Sequence, residues 1–454
     1  MMLKVSVSGI RGIFGEDLTP EVVESWVKAY ALWLKEKYPD RDGWAIVIGS
    51  DARPSRFPIK HMIVSIMQWM GITVYDAGLI PTPTAGIAIR NLKAEGGIMV
   101  TASHNPEEWN ALKFFNAEGE FLSQEDIERL KFLLDAKPKY ATWGAIGQYV
   151  RYTEALDVHI KAIISHPLVK LSQIEKQQFR IVVDPVNSVG AIAIPKLLRE
   201  LGVPVVELIN DHPPGLFAHK PEPLEENLQD LMKAVRKHRA DLGIAVDPDA
   251  DRLALVTEAG TYFGEEYTLV AAADYVLNHK KGPVVSNVAS SMALKKVAEK
   301  YGVPYYSAPV GEINVVRKMK EVGAVIGGEG NGGVIFPDIH YGRDALTGIA
   351  LILSCLAERE TYLSEWRKEL PHFEMVKENI HISESINIEE FVQKLIDQLK
   401  PAEVDRTDGI KLLWEDSWVL IRESNTEPLL RIYAEAPTKE KALALVSKVK
   451  QLIQ

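Results

Sequence analysis

Three carboxylates stand at alternate positions in Asp247-Pro-Asp-Ala-Asp-Arg252. Held this close together, they repel one another unless a cation compensates them. The apolar run before them, Leu242-Gly-Ile-Ala-Val246, reads as a buried strand. In an extended or turning loop beyond such a strand, alternate side chains can point one way, so Asp247, Asp249 and Asp251 could converge on a hard divalent ion. A solvated acidic turn is the plain alternative, and the position directly after a buried strand favours the metal site.

Two other uses of such spacing are excluded. A calcium loop would place Glu258 at its twelfth position, but Arg252 stands where that loop needs glycine, and strands rather than helices flank the segment. A haloacid-dehalogenase-type phosphatase begins with Asp-x-Asp after a strand but expects Thr or Val where Asp251 stands.

Gly96-Gly-Ile-Met-Val-Thr-Ala-Ser-His-Asn-Pro106 is a strand running into a polar turn. It poises Ser103 among backbone N–H groups that could face an anion, although Ser-His before Asn-Pro is also an ordinary turn or cap. Gly327-Gly-Glu-Gly-Asn-Gly-Gly333 contains Gly-x-Gly-x-x-Gly from Gly328, but a dinucleotide fingerprint must open a helix, and Val334-Ile-Phe-Pro337 follows instead. Glu329 and Asn331 on a flexible glycine-rich loop could hydrogen-bond a polyol; a plain loop is the alternative. Arg422-Glu-Ser-Asn-Thr-Glu-Pro-Leu-Leu-Arg431 offers two guanidinium groups, two hydroxyls and loop amides between two strand-like runs. That set suits a phosphate dianion, because Arg binds oxygens in a fork while hydroxyls and N–H groups complete the shell. The alternative there is a solvated hairpin turn. No Walker A sequence occurs anywhere.

The elements that must carry these loops alternate along the chain. Trp44-Ala-Ile-Val-Ile-Gly49, Ile181-Val-Val183, Leu242-Gly-Ile-Ala-Val246 and Ala324-Val-Ile326 are short apolar runs that end in polar residues or glycine. Fully apolar strands suit a sheet covered on both faces. Between them lie amphipathic stretches such as 22–34, where Val22, Val23, Trp26, Tyr30, Trp33 and Leu34 keep helical spacing behind Pro20. The alternation predicts α/β units, in which ligands gather beyond the carboxyl ends of strands. From about 370 onward, strand-like runs at 411–414, 418–421 and 429–433 precede a helix over 438–453, which predicts a separate α+β domain.

The 454 residues suggest about three domains at roughly 150 each. A net charge of -10 argues against nucleic acid or an anionic membrane as the main partner, since both need a concentrated basic surface. The single cysteine, Cys355, lies in an apolar run and reads as a buried structural thiol. No stretch has the length of a membrane span, and the N-terminus lacks a signal-peptide pattern, so a cytoplasmic protein is expected.

Taken in order, Ser8-Gly-Ile-Arg-Gly12, Gly49-Ser-Asp-Ala-Arg53, Thr101-Ala-Ser-His-Asn-Pro106, Asp247-Pro-Asp-Ala-Asp-Arg252, Gly327-Gly-Glu-Gly-Asn331 and Arg422-Glu-Ser-Asn-Thr-Glu-Pro428 closely resemble the α-D-phosphohexomutase superfamily over essentially the whole chain. Trp109-Asn-Ala-Leu-Lys113, Gly264-Glu-Glu-Tyr267 and Tyr341-Gly-Arg-Asp-Ala-Leu346 look most like its bacterial phosphoglucosamine mutase-type branch. The resemblance implies an α/β protein: three similar α/β domains with mixed sheets plus a C-terminal α+β phosphate-binding domain around a central active-site cleft. The domains would span 1–150 with the phosphoserine loop, 151–258 with the Mg-binding loop, 259–368 with the sugar loop and 369–454 with the phosphate loop.

It also implies the reaction, interconversion of glucosamine 6-phosphate and glucosamine 1-phosphate, with mannose and glucose phosphates as alternative substrates. Ser103 would carry a phosphoryl group, and Asp247, Asp249 and Asp251 would hold one Mg²⁺ together with a phosphoserine oxygen of Ser103. A hexose 1,6-bisphosphate would serve as intermediate and activator. Lys113 would be the general acid/base, while Arg11, Arg53 and His104 would support the phosphoserine. Arg252 would bind substrate, Glu329 and Asn331 would hold the sugar hydroxyls, and Arg422, Ser424, Asn425, Thr426 and Arg431 would grip the phosphate that is not transferred. The partner would be a small-molecule hexose phosphate, with no nucleic acid or membrane, and the protein a monomer or homo-dimer.

Two positions depart from the family pattern. Ala111 replaces the glycine two residues before the lysine in Asn-Gly-x-Lys, and Asn331 with Gly333 replaces the Ser and His of the commoner Glu-x-Ser-Gly-His loop. A rival of another class is a metal-dependent sugar-phosphate phosphatase, which would release inorganic phosphate. It does not need both a serine nucleophile and a distal phosphate clamp.

Overall fold

The computed structural model describes residues 3–41, 43–213, 216–381, 388–423 and 429–453. The chain forms two compact units, the first comprising Met1–Thr268 and Asn331–Glu365, the second Leu269–Gly330 and Trp366–Gln454.

The first unit opens with a seven-stranded sheet in the order Lys4–Ser6, Gly9–Ile13, Trp109–Phe115, Gly96–Val100, Trp44–Ser50, Ile72–Leu79, Tyr149–Arg151. The first four strands pair antiparallel and the others parallel. Successive residues of one strand feed opposite faces. Ile46 and Ile48 pack with Val27, Tyr30 and Leu34 of the helix Pro20–Lys37, while Val47 packs with Ala85, Ala88 and Ile89 of the helix Thr82–Leu92. Burial on both sides is why these strands are apolar without alternation. The helix expected behind Pro20 begins there, with Thr19 as its cap and Pro20 where a missing N–H costs nothing.

A second sheet in this unit has the order Leu253–Thr257, Leu242–Val246, Ile181–Asp184, Val205–Leu208, and only Leu253–Thr257 runs antiparallel. Residues 247–252 are therefore the reversal at the carboxyl end of a central strand, where ligand groups collect in open α/β sheets. Cys355 is buried in the helix Ala345–Arg359, whose first thirteen residues are all buried. A helix apolar on every face belongs inside the core.

In the second unit, Tyr305–Ala308, Val284–Asn287 and Ile326–Glu329 form parallel pairs. Glu329 ends this strand and is not on a flexible loop as expected, because pairing with Val284–Asn287 continues through Gly328. The C-terminal sheet is wholly antiparallel, in the order Glu374–His381, Leu429–Ala436, Trp418–Glu423, Ile410–Leu413, Glu403–Asp405. Phe391, Val392 and Leu395 of the helix Ile388–Leu399, with Val446 and Val449 of Lys439–Ile453, cluster with Leu412, Val419, Ile421, Leu430 and Ile432 of that sheet. The fold is thus α/β, with a C-terminal α+β segment. No helix among the described residues is long and apolar enough to cross a membrane.

Candidate active site

Ser103 sits in the turn after the strand Gly96–Val100, at a left-handed φ of 50°, and its side chain is buried. Its own N–H donates to Thr101 Oγ1 at 2.9 Å. The turn is wrapped around Arg53, whose guanidinium is fully buried. Nη2 donates to the carbonyls of Ser103 and Asn105, both at 2.6 Å, and Nη1 to those of Pro106 and Trp109. Nε donates to Asp51 Oδ2 at 3.0 Å, and the same oxygen accepts from Thr101 Oγ1 at 2.6 Å. All five N–H donors of Arg53 are used, so it holds the backbone of the serine turn and has none left for a phosphoryl group.

Ser103 Oγ donates to Asp247 Oδ2 at 2.6 Å, which joins the serine turn to the acidic loop within the first unit. Asp247 Oδ1 accepts from the N–H groups of Asp251 and Arg252, both at 3.2 Å, and Ala250 takes a left-handed φ of 52° to close this turn. Asp249 Oδ2 accepts from Lys113 Nζ and Thr82 Oγ1, each at 2.6 Å. Asp251 Oδ2 accepts from Arg343 Nη2 at 2.6 Å. All three acids are fully buried. Burial first, and then Asp249 and Asp251, push the Asp247 carboxyl well above the usual range. Burial would raise Asp249 as well, but the Lys113 charge and the hydrogen bonds around it hold that carboxyl below its ordinary value.

The set fits a hard cation. One carboxylate oxygen from each acid lies within 4.8 Å of the others. Asp249 Oδ1 and Asp251 Oδ1 are buried with no hydrogen-bond partner, and a buried charged acceptor left unmatched is expensive. Oxygen donors of this kind suit Mg²⁺.

Basic side chains also lie near the serine turn. Arg11 lies on the strand Gly9–Ile13 opposite Ala111 and donates through Nη1 to Asn105 Oδ1 at 2.6 Å. His104 Nδ1 is 3.3 Å from Ser103 Oγ. Burial, followed by Arg252, Arg11 and Arg343, pushes His104 well below the ordinary histidine value, so the ring is neutral near pH 7. Arg252 Nη1 donates to Glu222 Oε1 at 3.0 Å. Ala111 is buried in its strand and does not keep Lys113 from the triad.

The remaining predicted residues are placed as follows. Asn331 is in the first unit, with its Oδ1 buried and unpartnered. Gly333 packs beside it, and a Cβ there would fall 2.3 Å from Arg343 Cδ. Glu329 is in the second unit, nearly buried, with Oε1 accepting from Asn287 Nδ2 at 2.8 Å and Gly311 N at 3.0 Å. Arg422 and Arg431 are direct cross-strand partners in the C-terminal sheet. Ser424, Asn425 and Thr426 lie outside the described residues.

The sequence reading missed Thr82, Arg343 and Asp51. Arg343 stood within Tyr341-Gly-Arg-Asp-Ala-Leu346, a segment noted only for its resemblance. Thr82 carried no local signal, since only tertiary packing brings the start of its helix to Asp249.

Residues 2–141, 157–260, 264–373 and 385–452 match, in turn, alpha/beta/alpha domains I, II and III and the C-terminal domain of phosphoglucomutase/phosphomannomutase. A probable phosphoglucosamine mutase of Methanopyrus kandleri is 36% identical over 443 residues, 96% of this chain and 95% of its own. A phosphoglucomutase/phosphomannomutase of Thermococcus kodakarensis is 37% identical over 440 residues, 96% of this chain and 94% of its own. The crystal structure of a phosphoglucomutase/phosphomannomutase family protein from Burkholderia thailandensis superimposes with a TM-score of 0.83 at 27% identity, covering 99% of this chain and 98% of that one. Both of these relatives are archaeal, so they do not assign the chain to the bacterial branch that its motifs resemble.

Proposed function

Because the chain belongs to the phosphoglucomutase/phosphomannomutase family, the α-D-phosphohexomutases, and is an isomerase that moves a phosphoryl group within a hexose phosphate, we propose that it interconverts glucosamine 6-phosphate and glucosamine 1-phosphate. The name of the Methanopyrus kandleri relative supports the amino sugar. The observation that carries the chemistry is Ser103 Oγ at 2.6 Å from Asp247 Oδ2, beside a triad of buried acids that keeps two carboxylate oxygens without a hydrogen-bond partner.

In this reading Ser103 carries the phosphoryl group. A hydroxyl of the bound hexose phosphate attacks the phosphorus and gives up its proton, the bond from phosphorus to Ser103 Oγ breaks, and the serine oxygen takes up a proton to regenerate its hydroxyl. The product is a 1,6-bisphosphate, which returns its other phosphoryl group to Ser103 after turning end for end. Mg²⁺ held by Asp247, Asp249, Asp251 and a phosphoserine oxygen would neutralise charge on the phosphoryl oxygens. Lys113 is the proposed general acid/base, exchanging its proton beside Asp249. Arg11 and Arg252 compensate the dianion, while Arg53 fixes the turn that presents it.

The non-reacting phosphate is assigned to Arg422 and Arg431. Like charges directly opposite on neighbouring strands destabilise a sheet, and an anion between them reverses that sign. Ser424, Asn425 and Thr426 complete this proposed grip, and Glu329 and Asn331 hold the sugar hydroxyls.

The test is twofold on one preparation. Intact mass and peptide mapping should find a phosphoryl group on Ser103, and glucosamine phosphates should turn over faster than glucose or mannose phosphates. Near-normal turnover by Ser103→Ala would remove the phosphoserine assignment. Faster turnover of mannose or glucose phosphate would replace the substrate, and stoichiometric release of inorganic phosphate would make the protein a phosphatase.

A further inference from the structure

Three hydrogen bonds and one peptide link connect the arginine assigned to the phosphate with the carboxylate assigned to the sugar inside the second unit. Arg422 Nε donates to Asp408 Oδ1 at 2.7 Å. The other oxygen of the same carboxylate, Oδ2, accepts from Val310 N at 2.9 Å. The next residue, Gly311, donates its N–H to Glu329 Oε1 at 3.0 Å, and Asn287 Nδ2 donates to that oxygen at 2.8 Å. One carboxylate thus stands between the group assigned to the phosphate and the group assigned to the hydroxyls.

The turn that carries Asp408 is built for close approach. Gly409 has a φ of +78°, and a Cβ there would lie 2.5 Å from the Ile421 carbonyl and 3.1 Å from Arg422 Cβ. Thr407 N donates to Asp405 Oδ1 at 2.8 Å, and Ser307 Oγ donates to Asp405 Oδ2 at 3.3 Å, which pins the turn from its other side. Asp408 and Arg422 expose less than a fifth of their side chains, so neither is a freely solvated surface charge. Asp408 takes only Nε. Among the described residues no acceptor is paired with Nη1 or Nη2, the forked edge by which an arginine binds phosphate.

We propose that Asp408 is a positioning residue that orients Arg422 for the non-reacting phosphate and sets its spacing from Glu329, so that affinity for a hexose phosphate depends on it. This rests on the assignment of Arg422 to that phosphate. An arginine free to rotate would give up part of its binding energy to ordering. A carboxylate on Nε fixes the plane of the guanidinium and leaves the fork outward.

The test is a double-mutant cycle read in KM and kcat for glucosamine 6-phosphate and glucosamine 1-phosphate. Asp408→Ala should raise KM about tenfold for both, the scale of one charge-assisted hydrogen bond. Arg422→Ala should raise it at least as much. The double variant should then be no worse than Arg422→Ala, because Asp408 acts through Arg422. Additive effects would overturn the inference, and so would a fall in thermal stability with KM unchanged, which is what a merely structural ion pair predicts. If Arg422→Ala itself leaves KM unchanged, the parent assignment fails instead. Asp408→Asn covers the case where the alanine variant does not fold. Its amide can serve Val310 N or Arg422 Nε with oxygen but not both, so KM should still rise severalfold at near-normal melting temperature, and a KM within about twofold of wild type would overturn the proposal.

Discussion

Arg53 has all five of its N–H donors committed to one carboxylate and four carbonyls of the turn that presents Ser103. Its charge lies beside the turn of Ser103, the proposed carrier of the phosphoryl group, without being offered to it. Lysine has three donors radiating from one point and cannot reproduce a fork that meets acceptors on both edges. Arg53→Lys should therefore cost about 3 kcal/mol or more of unfolding free energy, because buried carbonyls and Asp51 would lose their partners. Urea denaturation checks this. Unchanged stability with reduced Ser103 phosphorylation would mean that Arg53 touches the phosphoryl group after all. Arg343 is the complementary case. Its stem occupies the place that a side chain at 333 would need, and its head grips Asp251. Gly333, a departure from the commoner sugar loop, is in this way what admits the arginine.

The ends of helices hold the acidic loop in place. Thr82, at the start of Thr82–Leu92, donates to Asp249, and Ala345, at the start of Ala345–Arg359, donates its N–H to the Ala250 carbonyl at 3.2 Å. A fully buried histidine ties those two helices together. His159, on Ala155–Ile164, pairs Nδ1 with Thr84 Oγ1 at 2.8 Å and Nε2 with Asp344 Oδ2 at 2.9 Å. Burial would raise the Asp344 carboxyl, but His159 and Thr347 hold it below its usual value. A carboxyl depressed on folding contributes stability above its unfolded value near 4 and loses it as pH falls through the folded one. His159→Ala should cost about 3 kcal/mol at neutral pH. The difference from wild type should shrink below about pH 4, as read by denaturation at several pH values. A constant difference would mean that the ring acts through packing alone. Much of this level was legible in sequence. The apolar runs at 44–49, 181–183 and 242–246 became strands because two-sided burial leaves an unmistakable pattern. Glu374–His381 and Glu403–Asp405 were not foreseen, because their mixed polar composition carries no period that distinguishes a strand from a loop. That Ser103 and the three acids come together could be anticipated because each group stands in a short, distinctive segment, whereas Thr82, His159 and Asp408 act through contacts that close only in the folded chain.

Across the whole chain, the groups that would transfer a phosphoryl group and those that would hold the remaining phosphate belong to different compact units. Ser103, Lys113 and the three acids are in the first unit; Arg422, Arg431 and Glu329 are in the second. If the bisphosphate proposed above is the intermediate, either of its phosphates must be held in turn, and the proposed grip would have to be indifferent to which end of the sugar it receives. Binding energy from that remote phosphate is useful only if it also orients the reacting end, and then its loss lowers transfer as well as affinity. Two variants should therefore separate in opposite ways. Ser103→Ala should bind glucosamine 6-phosphate within about threefold of wild type by calorimetry while turnover vanishes, since the serine adds little to ground-state binding. Arg431→Ala should lower kcat/KM by about tenfold or more for the 6-phosphate and the 1-phosphate alike, the scale of one lost charge-assisted hydrogen bond. Ser103 in that variant should still accept a phosphoryl group from a bisphosphate supplied at high concentration, because the reacting groups of the first unit are untouched. A loss confined to one direction would mean that the two arginines serve a single phosphate position. Reorientation of the bisphosphate would then need a second anchor elsewhere in the chain.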